Sequence, residues 1–352
     1  MHFNSRKFLA ASALLALLPL SACGAQEEGV AGSITGSCDD VDLTKPPAEP
    51  VKFRLGGGLA TEEPQWALVA DPASVGAEYA GRFYTVEGKS YVPNDRLDAY
   101  QAGRLDAGTI SPPQLIRAVA QGLDLRAVIS LKREAEGGFN TQFVSLKGSG
   151  IESAEDLKGK KIGILSPTTS TDYWAKSAVA SAGLDPMKDV EYVSIPFPQQ
   201  EEALRSGTID VAVMVRPFYQ QAAAKGGIQT VFTALTGPGF DQELILTWFD
   251  AEFVQENKEA FCAFRSDVAK ALEVYKENPA KVAQAAIDGG YLPAPDGKTF
   301  ASTEDWVTPE GGQINLESLD AMIDDMEEIK FIGPSQNVPA SDLVLKGYSV
   351  VQ

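Results

Sequence analysis

The chain has one histidine, His2, among 352 residues. An imidazole base, an imidazole metal ligand and a Ser-His-Asp triad are therefore excluded from the folded body. No catalytic residue, metal site or cofactor is expected. The side chains that stand out are suited to binding, and they sit at turns. Ser166, Thr168, Thr169, Ser170 and Thr171 form a hydroxyl-rich loop before a helix that starts near Asp172. One hydroxyl is needed to cap that helix, which leaves the others for the oxygens of a ligand. Ser111 precedes Pro112 as an N-cap precedes the first helical residue, so its hydroxyl serves either the helix amides or a ligand. Arg216 follows a buried apolar run and precedes Pro217 at the expected first helical position, and its planar fork suits a carboxylate or sulfonate. A salt bridge between the halves of the fold or on its surface is the alternative. Trp66 and Trp174 occupy equivalent first-turn positions; they either clasp an apolar ligand or pack helix against sheet, and Tyr173 and Phe218 share that ambiguity. Gly57 lies in the glycine-rich turn before the first helix. Glu243 is a candidate partner for a ligand's amino group, as are Glu62 and Glu63, for which a solvated loop position is expected.

These residues need a scaffold of alternating strands and helices. Apolar runs at 51–55, 105–110, 125–131, 161–165, 190–195, 209–215 and 229–233 read as strands, each followed by turn residues and a helix, which gives an α/β fold with mostly parallel sheets. Residues 99–128 laid on 203–232 at a constant offset place Ala99, Gly103, Asp106, Pro113, Ala118, Ala120 and Gly122 on Ala203, Gly207, Asp210, Pro217, Ala222, Ala224 and Gly226. Both segments read as helix end, glycine cap, strand, Pro-opened helix and glycine cap. A looser echo sets Thr61, Trp66 and Ala67 on Thr169, Trp174 and Ala175. Two similar lobes follow. With crossings at Gly137-Gly138 and Gly237-Pro238-Gly239, the expected division is 51–140 for the first part of lobe 1, 141–242 for lobe 2 and 243–352 for the return to lobe 1. Helical periodicity over 260–276 and 316–331 supplies helices that cover lobe 1. A ligand would lie beyond the carboxyl ends of the strands, at 56–61, 109–113, 166–171 and 215–218. Each helix start there is worth about 0.3–1 kcal/mol to an anion.

Thirty basic residues face 48 acidic ones, a net charge of −18, and removal of residues 1–22 with Arg6 and Lys7 leaves 28 against 48. A nucleic-acid partner is excluded on that balance. Screening over about 8 Å still permits an anionic solute in a recessed site. Arg6 and Lys7 precede an apolar run over 9–20, too short to span a bilayer but suited to a signal peptide. Leu20-Ser21-Ala22-Cys23 resembles the lipobox of bacterial lipoproteins, which implies cleavage after residue 22 and lipid on Cys23. Ser5-Arg6-Lys7-Phe8-Leu9 lacks the second arginine of a twin-arginine signal, so the general secretory route is expected. Residues 23–50 read as a flexible tether. Export permits a disulfide between the two remaining cysteines, Cys38 and Cys262; two free thiols are the alternative.

The segment from Ile151 to Gly163, with Asp156-Leu157-Lys158-Gly159-Lys160-Lys161-Ile162-Gly163 at its centre, resembles the entry to the second lobe of solute-binding proteins of ABC importers. Gly183-Leu184-Asp185-Pro186, Ala203 through Asp210, and Leu105-Asp106 through Gly122 continue the likeness, which covers nearly all of residues 51–280 and is nearest to the nitrate, sulfonate and taurine group. The turn from Gly56 to Glu63 and the segment from Met214 to Tyr219 depart from that pattern. The resemblance implies a two-lobed type II periplasmic-binding fold, monomeric, anchored by lipid to a membrane facing the periplasm or cell exterior. Its implied partners are a small solute, a permease and the cytoplasmic ATPase that drives it. A membrane sensor using the same lobes is the alternative. Thiamine-pyrimidine synthases on a related scaffold depend on a histidine and a cysteine-rich iron motif that this chain lacks.

Overall fold

The computed structural model describes residues 36–58, 61–294 and 296–351. The proposed signal peptide and Cys23 lie outside the described residues, as does the tether up to residue 35. The strands are β1 (Val51–Gly57), β2 (Tyr84–Ser90), β3 (Ala107–Ile110), β4 (Leu125–Glu134), β5 (Gln142–Leu146), β6 (Lys161–Ile164), β7 (Glu191–Ser194), β8 (Ala212–Met214), β9 (Ile228–Thr233) and β10 (Gln242–Asp250). The helices are α1 (Glu63–Ala70), α2 (Pro93–Gln101), α3 (Pro112–Ala120), α4 (Ser170–Ser181), α5 (Phe197–Arg205), α6 (Phe218–Lys225), α7 (Ala251–Glu256), α8 (Lys258–Glu277), α9 (Pro279–Asp288), α10 (Gly297–Ala301) and α11 (Leu316–Glu328).

The first sheet has the order β2-β1-β3-β10-β4, with β1 parallel to β2 and β3, and β10 antiparallel to both β3 and β4. In the second, β5 runs antiparallel between β8 and β9, and β6 pairs parallel with β7. A parallel bridge between Ile162 and Val211, with Gly163 N–H donating to Val211 C=O at 2.7 Å, joins these strands in the order β7-β6-β8-β5-β9. The two sheets therefore have the same plan: four strands in one direction and one against them. The sequence repeat has a structural basis. Asp106 accepts from the Arg54 amide at 2.8 Å, and Asp210 accepts from the Lys161 amide at 2.8 Å. Gly103, Gly207, Gly122 and Gly226 all have positive φ at helix ends, where a side chain would be strained.

Three strands are absent from the sequence reading: β2, β5 and β10. The strands β4 and β9 are followed by chain crossings rather than helices, which corrects the expectation of a helix after every strand. Each crossing feeds a strand that must enter the neighbouring sheet reversed, and that produces the antiparallel members β5 and β10. Pro217 is also displaced by one position, since it caps α6 instead of opening it.

Around the first sheet, Phe53, Tyr84, Phe249, Phe261 and Phe264 pack mainly edge to face. Asp267 of α8 is buried among them and accepts from the amides of Glu78, Tyr79 and Ala80 and from the Tyr84 hydroxyl at 2.8–3.1 Å. The second sheet has its own small core of Val144, Ile195, Leu204, Ile209, Ala212, Met214, Ala222 and Ile228. Helix α11 buries Leu319, Met322, Ile323 and Met326. It was expected to cover lobe 1. It also reaches α4, where Asp325 accepts from Tyr173 at 2.5 Å and Ser177 at 3.1 Å.

The crossings at 135–141 and 234–241 lie side by side, with the Glu136 amide donating to Asp241 at 3.0 Å. At the first, the Glu134 carboxylate accepts from the Thr141 amide (2.9 Å), the Thr141 hydroxyl (2.5 Å) and the Trp306 indole (2.9 Å). Cys38 and Cys262 are joined by a disulfide, which ties the segment before β1 to α8. No helix among the described residues is long and apolar enough to cross a membrane.

Candidate functional site

A cavity of about 210 Å³ lies between the two sheets, and it is built from the places where strands become helices. Gly58, Thr61 and Glu62 come from the β1–α1 turn, Tyr91, Val92, Pro93 and Arg96 from β2–α2, and Ser111 and Gln114 from β3–α3. From the other side come Leu165, Thr169, Ser170, Thr171 and Trp174 at β6–α4, Pro196, Phe197 and Pro198 at β7–α5, and Val215 and Phe218 at β8–α6. Thr141, Leu244 and Ile245 from the crossing strands and Pro293 complete the wall. Six helix starts thus converge on one space. Five carry proline at the cap or within the first two helical positions: Pro64, Pro93, Pro112, Pro196 and Pro217. Proline has no N–H to offer, so α1, α2, α3 and α5 each lose a first-turn amide, whereas α4 has no proline at its cap or in its first turn.

Thr169 is the N-cap of α4, but its hydroxyl donates to Ser166 C=O at 2.8 Å and lies 2.9 Å from the Thr171 hydroxyl. No side chain caps this terminus, contrary to the expectation that one of the hydroxyls would. The Ser170 hydroxyl is buried, lines the cavity and has no partner. Thr168 adopts φ of +67°, a strained backbone for a β-branched residue, and its amide donates to Asp172 at 2.9 Å. Ser166 has a buried, unpartnered hydroxyl and does not line the cavity. Ser111 lines it and donates to Gln114 at 3.2 Å, with no bond to the α3 amides.

The structure separates the aromatic candidates. Trp174 walls the cavity while its indole N–H donates to Gln242 at 2.9 Å. Trp66 does not line the cavity; it donates to Gly58 C=O at 2.8 Å and stacks on Tyr291 at 4.2 Å. The two tryptophans therefore do not face each other across a ligand. Tyr173 is held by Asp325 and by an edge contact with Phe331. Gly57 provides room: a Cβ there would come within 2.2 Å of the Trp66 ring and 2.4 Å of the Glu62 carboxylate. The aromatic wall is completed by Phe218 together with Tyr91 and Phe197, which the sequence did not single out.

Arg216 is 1% exposed and does not line the cavity. It pairs with Asp305 at 2.6 Å, donates to Thr303 at 2.7 Å and to Phe300 C=O at 2.5 Å, and lies 4.2 Å from the Phe300 ring centre. Lys132, fully buried in β4, meets the other Asp305 oxygen at 2.5 Å, and Tyr275 donates to it at 2.7 Å. Burial acts to raise the Asp305 pKa, but Lys132 and Arg216 outweigh it and hold the carboxyl below the usual range. Glu63 adjoins this cluster, buried and without a hydrogen-bond partner, and burial raises its pKa. Glu243 is likewise internal: it accepts from Ser130, from Arg133 at 2.9 Å and from the Asn315 amide at 2.7 Å.

Among the described residues, the charges that do line the cavity are Glu62 and Arg96. Glu62 was expected in solvent, and Arg96 was not anticipated. Both are buried. The Gly58 amide donates to Glu62 at 2.9 Å, and the Thr109 hydroxyl donates to Glu62 at 2.7 Å. Arg96 donates to the Thr109 hydroxyl at 2.5 Å and to its carbonyl. Burial raises the Glu62 pKa against the pull of Arg96, and burial lowers that of Arg96. The Arg96 Nε has no partner. A signal for Arg96 was present: it follows the Val92-Pro93 helix start that matches the other cavity junctions.

The profile of the NMT1/THI5-like family matches residues 87–282. The chain belongs to that family. Among curated relatives, the nitrate/nitrite binding protein NrtA of Synechococcus elongatus is 26% identical over 325 residues, covering 80% of this chain and 68% of its own length. Among solved structures, the periplasmic aliphatic sulphonate binding protein SsuA of Escherichia coli superposes with a TM-score of 0.64 at 17% identity, over 85% of this chain and 94% of that one. The alkanesulfonate-binding protein SsuA of Xanthomonas axonopodis, bound to MOPS, gives 0.66 at 15% identity over 85% and 100%. The family member described here thus has the type II periplasmic-binding fold.

Proposed function

We propose that this chain is the extracytoplasmic solute-binding lipoprotein of an ABC importer. It captures a small anionic or zwitterionic organic solute, of sulfonate, taurine or nitrate-like type, in the cavity between its lobes and delivers it to a permease. One observation carries the reading. Six helix starts from both sheets line one cavity, and the only one free of proline also holds a buried, unpartnered hydroxyl at Ser170. The positive end of α4 and that hydroxyl suit the oxygens of an acid group, and the relatives named for nitrate and sulfonate binding support it. The lobes are taken as 51–140 with 243–352, and 141–242. The anchor is lipid on Cys23.

A thermal-shift screen of sulfonates, taurine, nitrate, aromatic carboxylates and pyrimidines tests the function. A ligand at 100 times its dissociation constant adds about 2.7 kcal/mol to native stability. One class is expected to raise the melting temperature, to bind one per chain and to be recovered unchanged; chemical conversion of the ligand would overturn the reading. For the anchor, Cys23→Ala is expected to move the exported protein from the membrane fraction to the soluble one.

A further inference from the structure

The charges that line the cavity come as one pair of opposite sign. Glu62 and Arg96 share the Thr109 hydroxyl, at 2.7 Å and 2.5 Å, so the two charged groups lie no farther apart than the sum of those distances. Both are buried, and neither forms a direct ion pair with the other. A solute carrying one net charge would leave that charge unbalanced in a low-dielectric space, which is strongly unfavourable. A solute with both signs would leave none.

The unused hydrogen-bonding capacity has the same two-sided character. On the donor side, Arg96 Nε and Ser170 Oγ are buried and unpartnered, one from each lobe. On the acceptor side, among the described residues Glu62 Oε2 has only a share of the Gly58 amide, while Oε1 takes both that amide and Thr109. Beside the hydroxyls of Ser111, Thr141, Thr169 and Thr171 and the Gln114 amide, the wall offers a broad apolar surface of Trp174, Phe197, Phe218, Val215, Leu244 and Ile245. A volume of about 210 Å³ corresponds to roughly seven waters at liquid density, well beyond a four-atom ion.

We infer that the solute is a zwitterion with a bulky apolar body, an amino acid with an aromatic or branched side chain being the simplest member. Its ammonium meets Glu62, its acid group meets Arg96 and the first turn of α4, and its body lies on Trp174, Phe197 and Phe218. This rests on the solute-binding reading and narrows it, because nitrate and taurine lack the apolar body and simple carboxylates lack the ammonium.

The test is calorimetric titration of the full mature chain. The probes are L-phenylalanine and L-leucine, their desamino counterparts 3-phenylpropionate and 4-methylpentanoate, taurine and sodium nitrate. At least one amino acid is expected to bind one per chain, with its desamino counterpart and taurine each at least tenfold weaker. Glu62→Gln, with folding checked by circular dichroism, is expected to weaken the amino acid at least tenfold and the desamino acid less than threefold. Ser170→Ala is expected to weaken both, which separates recognition of the acid group from that of the ammonium. Equal or tighter binding of the desamino acids, taurine or nitrate would overturn the inference and leave the solute-binding reading standing. Failure of all six probes to bind would overturn the inference and count against that reading as well.

Discussion

Replacing Arg216 by methionine removes one cation from a buried set that contains Glu63, Lys132, Arg216 and Asp305. With both carboxyls ionised, the native set holds two charges of each sign, and the variant is left with two carboxylates facing Lys132 alone. Asp305 also loses a 2.6 Å contact, and the Thr303 hydroxyl and Phe300 carbonyl lose their donor. Breaking a buried pair by removing one partner costs about 3–5 kcal/mol. Urea denaturation followed by tryptophan fluorescence reads this directly, as a shift in midpoint with the slope unchanged. The double variant Arg216→Met, Asp305→Asn leaves Glu63 and Lys132 balanced and is expected to recover part of the loss. A single variant within about 1 kcal/mol of the native protein, or a double variant no more stable than the single, would refute the assignment of Arg216 to a structural charge cluster.

Ser170→Ala removes a hydroxyl that has no partner in the folded chain, so unfolding free energy should stay within about 0.5 kcal/mol of native, while affinity for the solute falls about fivefold or more; urea melts and calorimetry read the two effects. Reduction of the Cys38–Cys262 disulfide, which spans 224 residues, should lower stability by an amount whose chain-entropy ceiling is about 5 kcal/mol, seen as a lower melting temperature with dithiothreitol than without. Burial pushes the Glu134 carboxyl up to about 7. The folded chain then binds more protons than the unfolded one between the ordinary glutamate value and pH 7. The stability from that site is therefore complete at low pH and is lost as pH rises toward 7. The stability difference between the native protein and Glu134→Gln should accordingly shrink, by a few kcal/mol at most, when melts are repeated from pH 5 to pH 8.

The parts of the fold legible in the sequence were those repeated in it. Asp106 and Asp210 stand in matching positions because each closes the same strand pair, and the glycines around them stand where a helix must end in a left-handed residue. The reversed strands were harder to read. β10 is an apolar run between a glycine-rich turn and a helix, and nothing in its composition says which way it runs; direction is set by the crossing that precedes it. Side-chain destinations were hardest. Arg216 and Arg96 both sit next to proline-marked helix starts, yet one turns into the core toward Asp305 and the other toward the cavity. The partner that decides the first case is 89 residues away in sequence, and no local pattern reports it. Glu62 and Glu63 looked solvated for the same reason, since the groups beside them, Arg96 for Glu62 and Lys132, Asp305 and Arg216 for Glu63, are distant in sequence.

The claim on which the rest depends is that one solute is gripped by helix starts from both sheets at once. Hydrogen exchange with and without a saturating ligand from the screen tests it most directly. Protection is expected together at the amides around Gly58 to Glu62, at Tyr91 to Arg96 and at Thr169 to Asp172, with matching loss of protection in a Trp174→Ala variant that binds weakly. Protection confined to the residues of one sheet, or appearing only away from these three turns, would contradict the account.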